Sequence, residues 1–277
     1  TIQDLSATCL GLIKRGIEWD FIPSTILAQC DSCIGSKTSI NSSSTKNIYG
    51  LFYAPNNIFI LNSLALKQDS LQLLSGFGDA LHYLFLDPNN EFDYISNQLD
   101  RIINEGIENF FKTNTSVIEL SYHCHKIKKY YIETDEFDQK HRKFLNLGHS
   151  FGHALEKLYE YKIPHGIGVM HGIYMASFLN LYTSKEKDKT KSKSTIILID
   201  KLLKLLDRET SFTPKKVQIK IQENLELYLS ILKRDKKNIK DEYMLILLAE
   251  KPYIKGFEYK ELIGFLTYLT NMISNKS

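Results

Sequence analysis

Cysteine, proline and tryptophan are scarce in this sequence, and it contains no long apolar run. Its 277 residues include four cysteines, six prolines and one tryptophan. Four irregularly spaced cysteines are too few for the disulfide framework of a secreted domain, which favours a reducing compartment. No apolar run approaches the roughly 18 residues that a membrane span needs, and the N-terminus has neither the basic region nor the cleavage site of a signal peptide. We therefore expect a cytoplasmic protein without a membrane partner.

A large excess of charge of either sign is also missing. The 35 lysines and arginines against 32 aspartates and glutamates give a formal net charge of +3. This surplus is too small to indicate nucleic acid as a partner without a localised basic face. With 43% hydrophobic and 24% charged residues, the composition is that of a globular protein. The chain is long enough for two modest domains, each with its own core.

We predict an α/β domain over residues 1–66. Apolar residues recur at helical spacing between positions 5 and 14, and segment 17–23 has the pattern of a buried strand. The polar, cationic stretch 35–47 predicts a loop, and the two apolar runs within 48–61 predict a hairpin.

We predict a mainly helical domain over residues 67–277, because its long stretches carry apolar residues at spacings of three and four. The charged segment 184–194 contains no apolar residue and predicts a solvated loop. The apolar run 243–249 predicts one late strand. The expected fold is therefore an α/β domain followed by an all-α domain.

The sharpest motif is a polar stripe that includes two histidines. It reads Arg142-x-x-x-Asn146-x-x-His149-x-x-x-His153, and His165 follows. Spacings of three and four place the first four side chains on nearly one face of a helix. A helix-borne histidine pair with a third ligand from elsewhere is typical of zinc sites that leave a position open for substrate oxygens. The alternative interpretation is a structural histidine pair.

A second motif runs from Asp31 to Asn47 and contains Gly35, Lys37 and Lys46. Glycine lets the backbone approach a ligand closely, the lysines are compact cationic donors, and the carboxylate accepts hydrogen bonds from hydroxyl groups. The motif predicts a site for a phosphorylated, hydroxyl-rich ligand, and an ordinary polar loop is the alternative. The spacing of a Walker loop is absent.

Six blocks of the sequence together carry a family resemblance. They are RGIEWDFIPSTILAQCDSCIGSKTSIN, KNIYGLFYAP, SGFGDALHY, RKFLNLGHSFGHALE, HG and RDKKN. In this order and at these spacings they resemble the 3-dehydroquinate synthase family of sugar phosphate cyclases over nearly the whole chain. The resemblance implies a partial Rossmann-like, NAD-binding α/β domain followed by a helical metal-binding domain, with the active site in the cleft between them.

The resemblance also implies a reaction, its cofactors and its partners. The substrate would be a small phosphorylated sugar acid, 3-deoxy-D-arabino-heptulosonate 7-phosphate. One of its hydroxyl groups would be oxidised by NAD, phosphate would be eliminated, the ketone would be reduced again, and an aldol step would close the ring to 3-dehydroquinate. A divalent zinc or cobalt ion would grip the substrate hydroxyl groups. A homodimer is implied as well.

The functional positions of the family can be placed on this sequence by its motifs. The metal ligands would be Asp79, His149 and His165. The residues that contact or act on the substrate would be Arg15, Asp31, Lys37, Asn47, Lys128, Arg142, Asn146, His153 and Lys236. The residues that contact NAD would be Asp4, Ser24, Thr25, Lys37, Lys46 and Lys67. Among the substrate residues, the histidine would transfer a proton or hydrogen-bond the substrate near the reacting centre.

The sequence departs from the family pattern mildly at Ser24, where the family has threonine, and more strongly at three further positions. Asp79 stands where the family has glutamate and is shorter by about 1.5 Å, so the metal is expected to shift or to bind more weakly. His82 replaces a lysine and, with a reference pKa of about 6.5, would be mostly neutral at pH 7. One anion contact is therefore expected to be lost. Ile167 replaces an acid next to the histidine-glycine pair.

Two alternatives to this interpretation remain open. The family's glycine triplet, which lets the backbone approach the cofactor pyrophosphate, would precede Thr1, so we expect the N-terminal part of the NAD-binding domain to be missing. One alternative is therefore a truncated, non-catalytic homologue. The other is a cyclase of the valiolone or inosose type that acts on a different sugar phosphate.

Overall fold

The chain folds into an N-terminal α/β region and a larger, mainly helical region that packs against it. This agrees with the predicted fold class, whereas the domain boundary between residues 66 and 67 stays a prediction. The computed structural model describes residues 2–40, 48–87, 92–112, 114–184, 189–206, 211–235, 238 and 241–274.

Short strands in two separate sheets make up the N-terminal region. Its elements are α1 (Ile2–Leu12), β1 (Asp20–Phe21), β2 (Lys37–Ile40), β3 (Tyr49–Phe52) and β4 (Asn57–Ile58). β1 pairs with β4 in parallel, and β2 pairs with β3 antiparallel.

The predictions of a loop over 35–47 and of a hairpin within 48–61 are wrong, because the strands pair differently. β2 lies inside the segment predicted as a loop and pairs with the first apolar run, while the second run supplies β4 and pairs with β1. Apolar periodicity does not predict β2, because the side chain that this strand buries is polar. Thr38 is buried and its hydroxyl group receives a hydrogen bond from the Thr8 hydroxyl of α1 over 3.0 Å.

Helices dominate the rest of the described chain. They are α2 (Asn62–Ala65), α3 (Ser70–Phe85), α4 (Phe92–Glu105), α5 (Ile107–Lys112), α6 (Asn114–Thr134), α7 (His149–Leu158), α8 (His165–Thr183), α9 (Thr190–Leu203), α10 (Pro214–Glu223), α11 (Leu225–Lys233) and α12 (Tyr259–Ser274). The strands β5 (Tyr243–Leu248) and β6 (Pro252–Phe257) form an antiparallel hairpin between α11 and α12. Within the described residues, no helix combines the length and apolarity that crossing a bilayer requires.

Helix α8 is the centre of the core. It is buried from Gly166 to Asn180, and it contacts α3, α7, α9 and β5. Its glycines let helix backbones touch: a β-carbon on Gly166 would lie 1.7 Å from the carbonyl oxygen of Ser75 in α3. One on Gly172 would lie 1.8 Å from the carbonyl oxygen that precedes α7. The backbones of α3, α7 and α8 are therefore in direct contact.

Two predictions for the helical region need correction. Helix α9 begins inside the predicted loop 184–194, and β6 pairs with the strand that was predicted alone. The loop prediction failed because the buried inner face of α9 begins with polar residues. Ser192 and Thr195 are both buried, and the Ser192 hydroxyl donates to the carbonyl oxygen of Leu248 over 2.7 Å.

Candidate functional site

Three side chains from three helices converge at the start of α8. Asp79 lies in the middle of α3, and His149 and His165 are the first residues of α7 and α8. Local sequence explains both starts. Gly148 adopts a left-handed φ of +78°, which separates α7 from the preceding turn. At α8, the backbone N–H of Gly166 donates to the Ser75 hydroxyl of α3 over 3.0 Å, so the two helices are tied where their functional side chains meet.

The geometry of these three side chains fits a divalent metal ion. The Oδ1 atom of Asp79 lies 3.6 Å from Nε2 of His149 and 3.4 Å from Nε2 of His165. Ligand atoms of a tetrahedral zinc site are about 3.3–3.4 Å apart. This carboxylate is 1% exposed, and its Oδ1 atom has no hydrogen-bond partner of good geometry in the described structure. Such a buried, unsatisfied oxygen is costly unless a cation binds it. The shorter aspartate therefore reaches both imidazole rings.

The other ring nitrogen of each histidine is held by a fixed acceptor. His149 Nδ1 donates to the carbonyl oxygen of Leu147 over 3.2 Å, and His165 Nδ1 donates to the carboxylate of Glu156. These bonds fix the tautomers with Nε2 facing Asp79. A carboxylate behind a ligating histidine is a common arrangement in zinc sites, where it orients the ring and raises its basicity.

The electrostatics of the cluster favour a cation. Burial alone would raise the pKa of Asp79, but the imidazole of His165 and those of His82 and His149 hold it below its usual range. Burial alone would lower the pKa of His165, but the carboxylates of Asp79 and Glu156 together raise it to about 10. Either a proton or a metal ion would satisfy these two buried carboxylates.

His153 lies one helical turn after His149 and reaches both the metal cluster and the cleft. Its ring stacks on that of His165 with centroids 5.7 Å apart. One of its ring nitrogens also lies within 4.8 Å of a carboxylate oxygen of Glu156 and a ring nitrogen of His165. The stripe of α7 therefore carries a histidine, a histidine and a glutamate at intervals of four and three residues.

His82 is buried behind the metal cluster. Its Nδ1 donates to the carbonyl oxygen of Asp79, and its ring lies edge-on to His149 with centroids 5.0 Å apart. Burial lowers its pKa, so the ring is neutral at pH 7. The expected loss of an anion contact at this position stays a prediction.

Asp31 forms a second centre, beside α6. Lys128 donates to its Oδ1 atom over 2.7 Å and to its carbonyl oxygen over 2.6 Å, and the hydroxyl of Tyr83 donates to the same Oδ1 atom. Burial acts to raise the pKa of Asp31, but the Lys128 ammonium holds it below its usual range. The carboxylate is thus ionised, oriented from two sides and still 28% exposed.

Arg142 and Asn146 do not share a helix with the histidines, so the prediction of one continuous stripe is wrong. They lie in a separate 3₁₀ turn, His141–Asn146, because Gly148 interrupts the helical path. Arg142 is nevertheless directed toward the second motif. A β-carbon on Gly35 would lie 3.3 Å from its Nη2 atom and 4.0 Å from Cε of Lys128. Two cationic side chains therefore converge on this glycine.

A cavity of about 1030 Å³ separates the β2–β3 hairpin from α7, α11 and the β5–β6 hairpin. Predicted site residues on its walls are Lys37, Asn146 and His153. Lys37 donates to Asp138 across the cleft over 2.7 Å. The cavity is large enough for a small phosphorylated ligand, and Glu156 places the metal cluster at its border.

Three of the residues predicted to contact NAD, Ser24, Thr25 and Lys67, lie near the carboxyl end of β1. Ser24 and Thr25 follow this strand, and the Thr25 hydroxyl accepts the N–H of Ala28 at the start of the next helical turn. Gln68 accepts the N–H of Ile26 over 2.8 Å, which brings the turn with exposed Lys67 to the same edge. The carboxyl edge of parallel strands is where nucleotides bind in open α/β sheets.

Other predicted residues are not brought together with these. Asp4 lies on α1, which packs against β2, and Arg15 is exposed in a left-handed conformation, φ +66°. Arg15 has no hydrogen bond or ion pair within the part of the chain that the structure describes. Lys46, Asn47 and Lys236 lie outside the described residues.

Sequence reasoning missed Glu156 and Tyr83 as parts of these centres. Glu156 follows His149 by seven residues, a spacing that returns to the same helix face, so the motif itself contained a signal. The Tyr83 contact with Asp31 spans 52 residues and depends on tertiary packing, so no local pattern could have indicated it.

Two consecutive segments of the chain match known protein families. Residues 1–72 match the 3-dehydroquinate synthase N-terminal family, and residues 76–238 match the 3-dehydroquinate synthase C-terminal family.

The chain is also similar in sequence to proteins named 3-dehydroquinate synthase. The chain is 31% identical to the 3-dehydroquinate synthase of Clostridium perfringens over 95% of its own length and 69% of that protein. It is 30% identical to the bifunctional 3-dehydroquinate synthase/phosphatase of Fusobacterium nucleatum over 94% of its own length and 36% of that protein.

Solved structures share the fold at low identity. A 2-deoxy-scyllo-inosose synthase complexed with carbaglucose-6-phosphate, NAD⁺ and Co²⁺ superposes with a TM-score of 0.78 and 18% identity, over 95% of this chain and 70% of that one. The 2-epi-5-epi-valiolone synthase of Streptomyces hygroscopicus, with NAD⁺ and Zn²⁺ bound, gives 0.69 and 16%, over 98% and 71%. Sequence and fold together establish that this chain belongs to the 3-dehydroquinate synthase family.

Proposed function

We propose that this chain acts as a 3-dehydroquinate synthase, converting 3-deoxy-D-arabino-heptulosonate 7-phosphate to 3-dehydroquinate and phosphate with NAD and a divalent metal ion. The observation that carries the proposal is the Asp79–His149–His165 cluster, whose interatomic distances suit a tetrahedral ion beside a cleft with cationic walls. The family to which the chain belongs supports the same activity.

Asp79, His149 and His165 would hold the metal ion, with Glu156 orienting one imidazole ring. When bound, a divalent ion polarises and acidifies substrate hydroxyl groups, and NAD accepts and returns a hydride. The chain's own part is to present the ligands in fixed tautomers and to keep the Asp79 carboxylate ionised and away from water.

The cationic walls of the cleft would bind the two anionic groups of the substrate. Arg142 and Lys128 converge on Gly35, and Lys37, two residues later, is the first residue of β2 and lines the cavity. Guanidinium and ammonium groups are suited to phosphate and carboxylate, and their attraction strengthens where a low dielectric surrounds them. Asn146 and Asp31 would orient hydroxyl groups by hydrogen bonds.

His153 would handle protons. It lines the cleft, and its ring stacks on the adjacent ligand histidine. From this position an imidazole can hydrogen-bond a substrate oxygen and exchange a proton with it.

The test is phosphate release from 3-deoxy-D-arabino-heptulosonate 7-phosphate by this chain, with NAD and zinc or cobalt supplied and the product identified by mass. We expect release to require both additions and to fall by about 100-fold or more in His149→Ala. His141→Ala removes an exposed histidine eight residues earlier and should leave the rate unchanged.

The alternatives give different results in the same assay. No release from a chain that demonstrably binds metal and NAD would favour the non-catalytic homologue. Release from sedoheptulose 7-phosphate, which lacks the carboxylate, but not from the keto acid would favour a different sugar phosphate cyclase.

A further inference from the structure

One carboxylate shapes the turn that leads from α6 to the 3₁₀ turn before the metal cluster. Asp135 follows the last residue of α6, and its side chain accepts three backbone N–H groups. Gln139 donates to Oδ1 over 2.9 Å, while Lys140 and Arg142 donate to Oδ2 over 2.6 and 3.0 Å. The residue is nearly buried, so these bonds are shielded from water. The carboxylate therefore holds residues 135–142 in a compact turn by these three hydrogen bonds.

This turn delivers Asp138 to the wall of the cleft and Arg142 to the neighbourhood of Gly35. Arg142 is 4% exposed, donates from Nη1 to the carbonyl oxygen of Glu136, and directs its other amino group toward Gly35. Asp138 sits at the tip in a left-handed conformation with φ +57°, and its Oδ2 atom pairs with Lys37 over 2.7 Å. An α-helical continuation of α6 would direct both side chains elsewhere.

We propose that Asp135 is a positioning residue for the anion-binding side of the cleft: by folding the turn 135–142 it aims Arg142 at the bound substrate. The inference rests on the proposed function, because that function makes Arg142 a ligand contact. Both carboxylate oxygens of Asp135 accept backbone N–H groups of its own turn, so we assign it no contact with the ligand.

The charge state of Asp135 is consistent with this role. Burial acts to raise its pKa, but the N–H groups of Gln139, Lys140 and Arg142 outweigh burial and hold it below its usual range. The amide of asparagine could accept at one oxygen only, and its NH₂ group would face the N–H donors of Lys140 and Arg142 or that of Gln139. Asp135→Asn should therefore loosen the turn while changing the shape of the side chain little.

The experiment measures the affinity of the full chain for inorganic phosphate by calorimetry in four proteins: wild type, Asp135→Asn, Arg142→Gln and the double variant. We expect each single variant to bind phosphate about tenfold more weakly. We expect the double variant to be no weaker than Arg142→Gln alone, because Asp135 acts through Arg142. Zinc affinity of each protein reports on the correctly folded metal cluster and should stay unchanged. Glu133→Gln, on the exposed end of α6, is the matched control.

The outcomes separate the two proposals. Unchanged phosphate affinity in Asp135→Asn overturns the positioning role. If Arg142→Gln loses affinity in that case, the anion site and the proposed function stand without it; if neither variant loses affinity, both fail. Additive losses in the double variant also overturn the inference, since they indicate a general structural role. Should Asp135→Asn lose zinc binding as well, Asp135→Ser, which keeps one acceptor, replaces it in the same cycle.

Discussion

Glu156 is the residue whose role the structure adds most clearly. It is buried, and its carboxylate accepts a hydrogen bond from Nδ1 of His165. We expect Glu156→Gln to weaken zinc affinity by about tenfold or more, because a neutral amide orients the ring but no longer raises its basicity. Competition with a chromophoric chelator measures this. Glu160→Gln, four residues later and exposed, is the control, and equal affinities in the two variants would contradict the prediction.

The sequence alone predicted some site residues and not others. Asp79, His149 and His165 were placed by motif, and the structure brings them within 4.8 Å of one another. Their assignment as metal ligands stays a prediction. The Tyr83 contact with Asp31 could not be predicted, because it joins α3 to the short helical turn Ala28–Ser32, and no local pattern determines how these two pack.

The fit of an aspartate to the metal cluster depends on how closely α3 lies against α8. A β-carbon on Gly166 would overlap the Ser75 carbonyl oxygen at 1.7 Å, so the two backbones are already in contact. At this spacing Asp79 reaches both histidines, and a glutamate would overshoot by about 1.5 Å.

We therefore expect Asp79→Glu to lower zinc affinity by about tenfold, although glutamate is the residue that the family resemblance leads one to expect. Calorimetric zinc titration of the variant checks this. The exposed Asp241→Glu serves as the control for adding a methylene group. Equal or tighter binding by Asp79→Glu would show that the spacing between α3 and α8 adjusts to the side chain.

Helix α8 should also make stability depend on pH through His171. This ring is fully buried, its Nε2 donates to the carbonyl oxygen of Phe212 over 2.8 Å, and burial lowers its pKa to about 4. The unfolded chain, with a histidine pKa near 6.5, binds more protons between pH 4 and 6.5, so the free energy of unfolding falls as pH drops through that window.

From pH 7.5 to pH 5 the loss should be about 2 kcal/mol. Urea unfolding of wild type and His171→Asn across this range measures it. The variant should show a shallower pH dependence by that amount, since all other titrating groups are shared. Parallel curves for the two proteins would exclude His171 as the source.

Helical periodicity and strand patterns predicted the larger elements well and the small ones poorly. α3, α6 and β5 follow from apolar spacing, whereas β2 and the start of α9 carry polar residues inward, where hydrogen bonds replace apolar contact. The polar stripe from Arg142 to His153 failed as one helix because a left-handed glycine divides it. Apolar periodicity predicts neither polar residues that face inward nor a helix break at a left-handed glycine.

Burial differs between the two regions of the molecule. α8 is buried along most of its length, whereas in the N-terminal region the two-residue strands β1 and β4 pair only with each other among the described residues. Large apolar side chains there are more than a third exposed, among them Ile22, Ile58, Phe59, Ile60 and Leu61. Few buried contacts mean a low free energy of local opening.

We expect amide hydrogen exchange, followed by mass spectrometry, to be faster in peptides covering 17–23 and 56–61 than in those covering α7 and α8, by about 100-fold or more. Added zinc should slow exchange around α7 and the start of α8 and leave the N-terminal peptides unchanged. Uniform protection along the chain would contradict this picture. The homodimer implied by the resemblance stays a prediction, which light scattering of the same sample would test.

The glycine contacts at the centre of the molecule have a genetic consequence. Every glycine codon has the form GGN, so any single-base missense change adds at least a β-carbon. At Gly166 and Gly172 that atom would lie 1.7 and 1.8 Å from a carbonyl oxygen of a neighbouring backbone. In a library of random point mutants selected for function, these two codons should accept silent changes only, while the codon of Gly106, with nothing within 4 Å of its missing β-carbon but a φ of +79°, should still yield survivors.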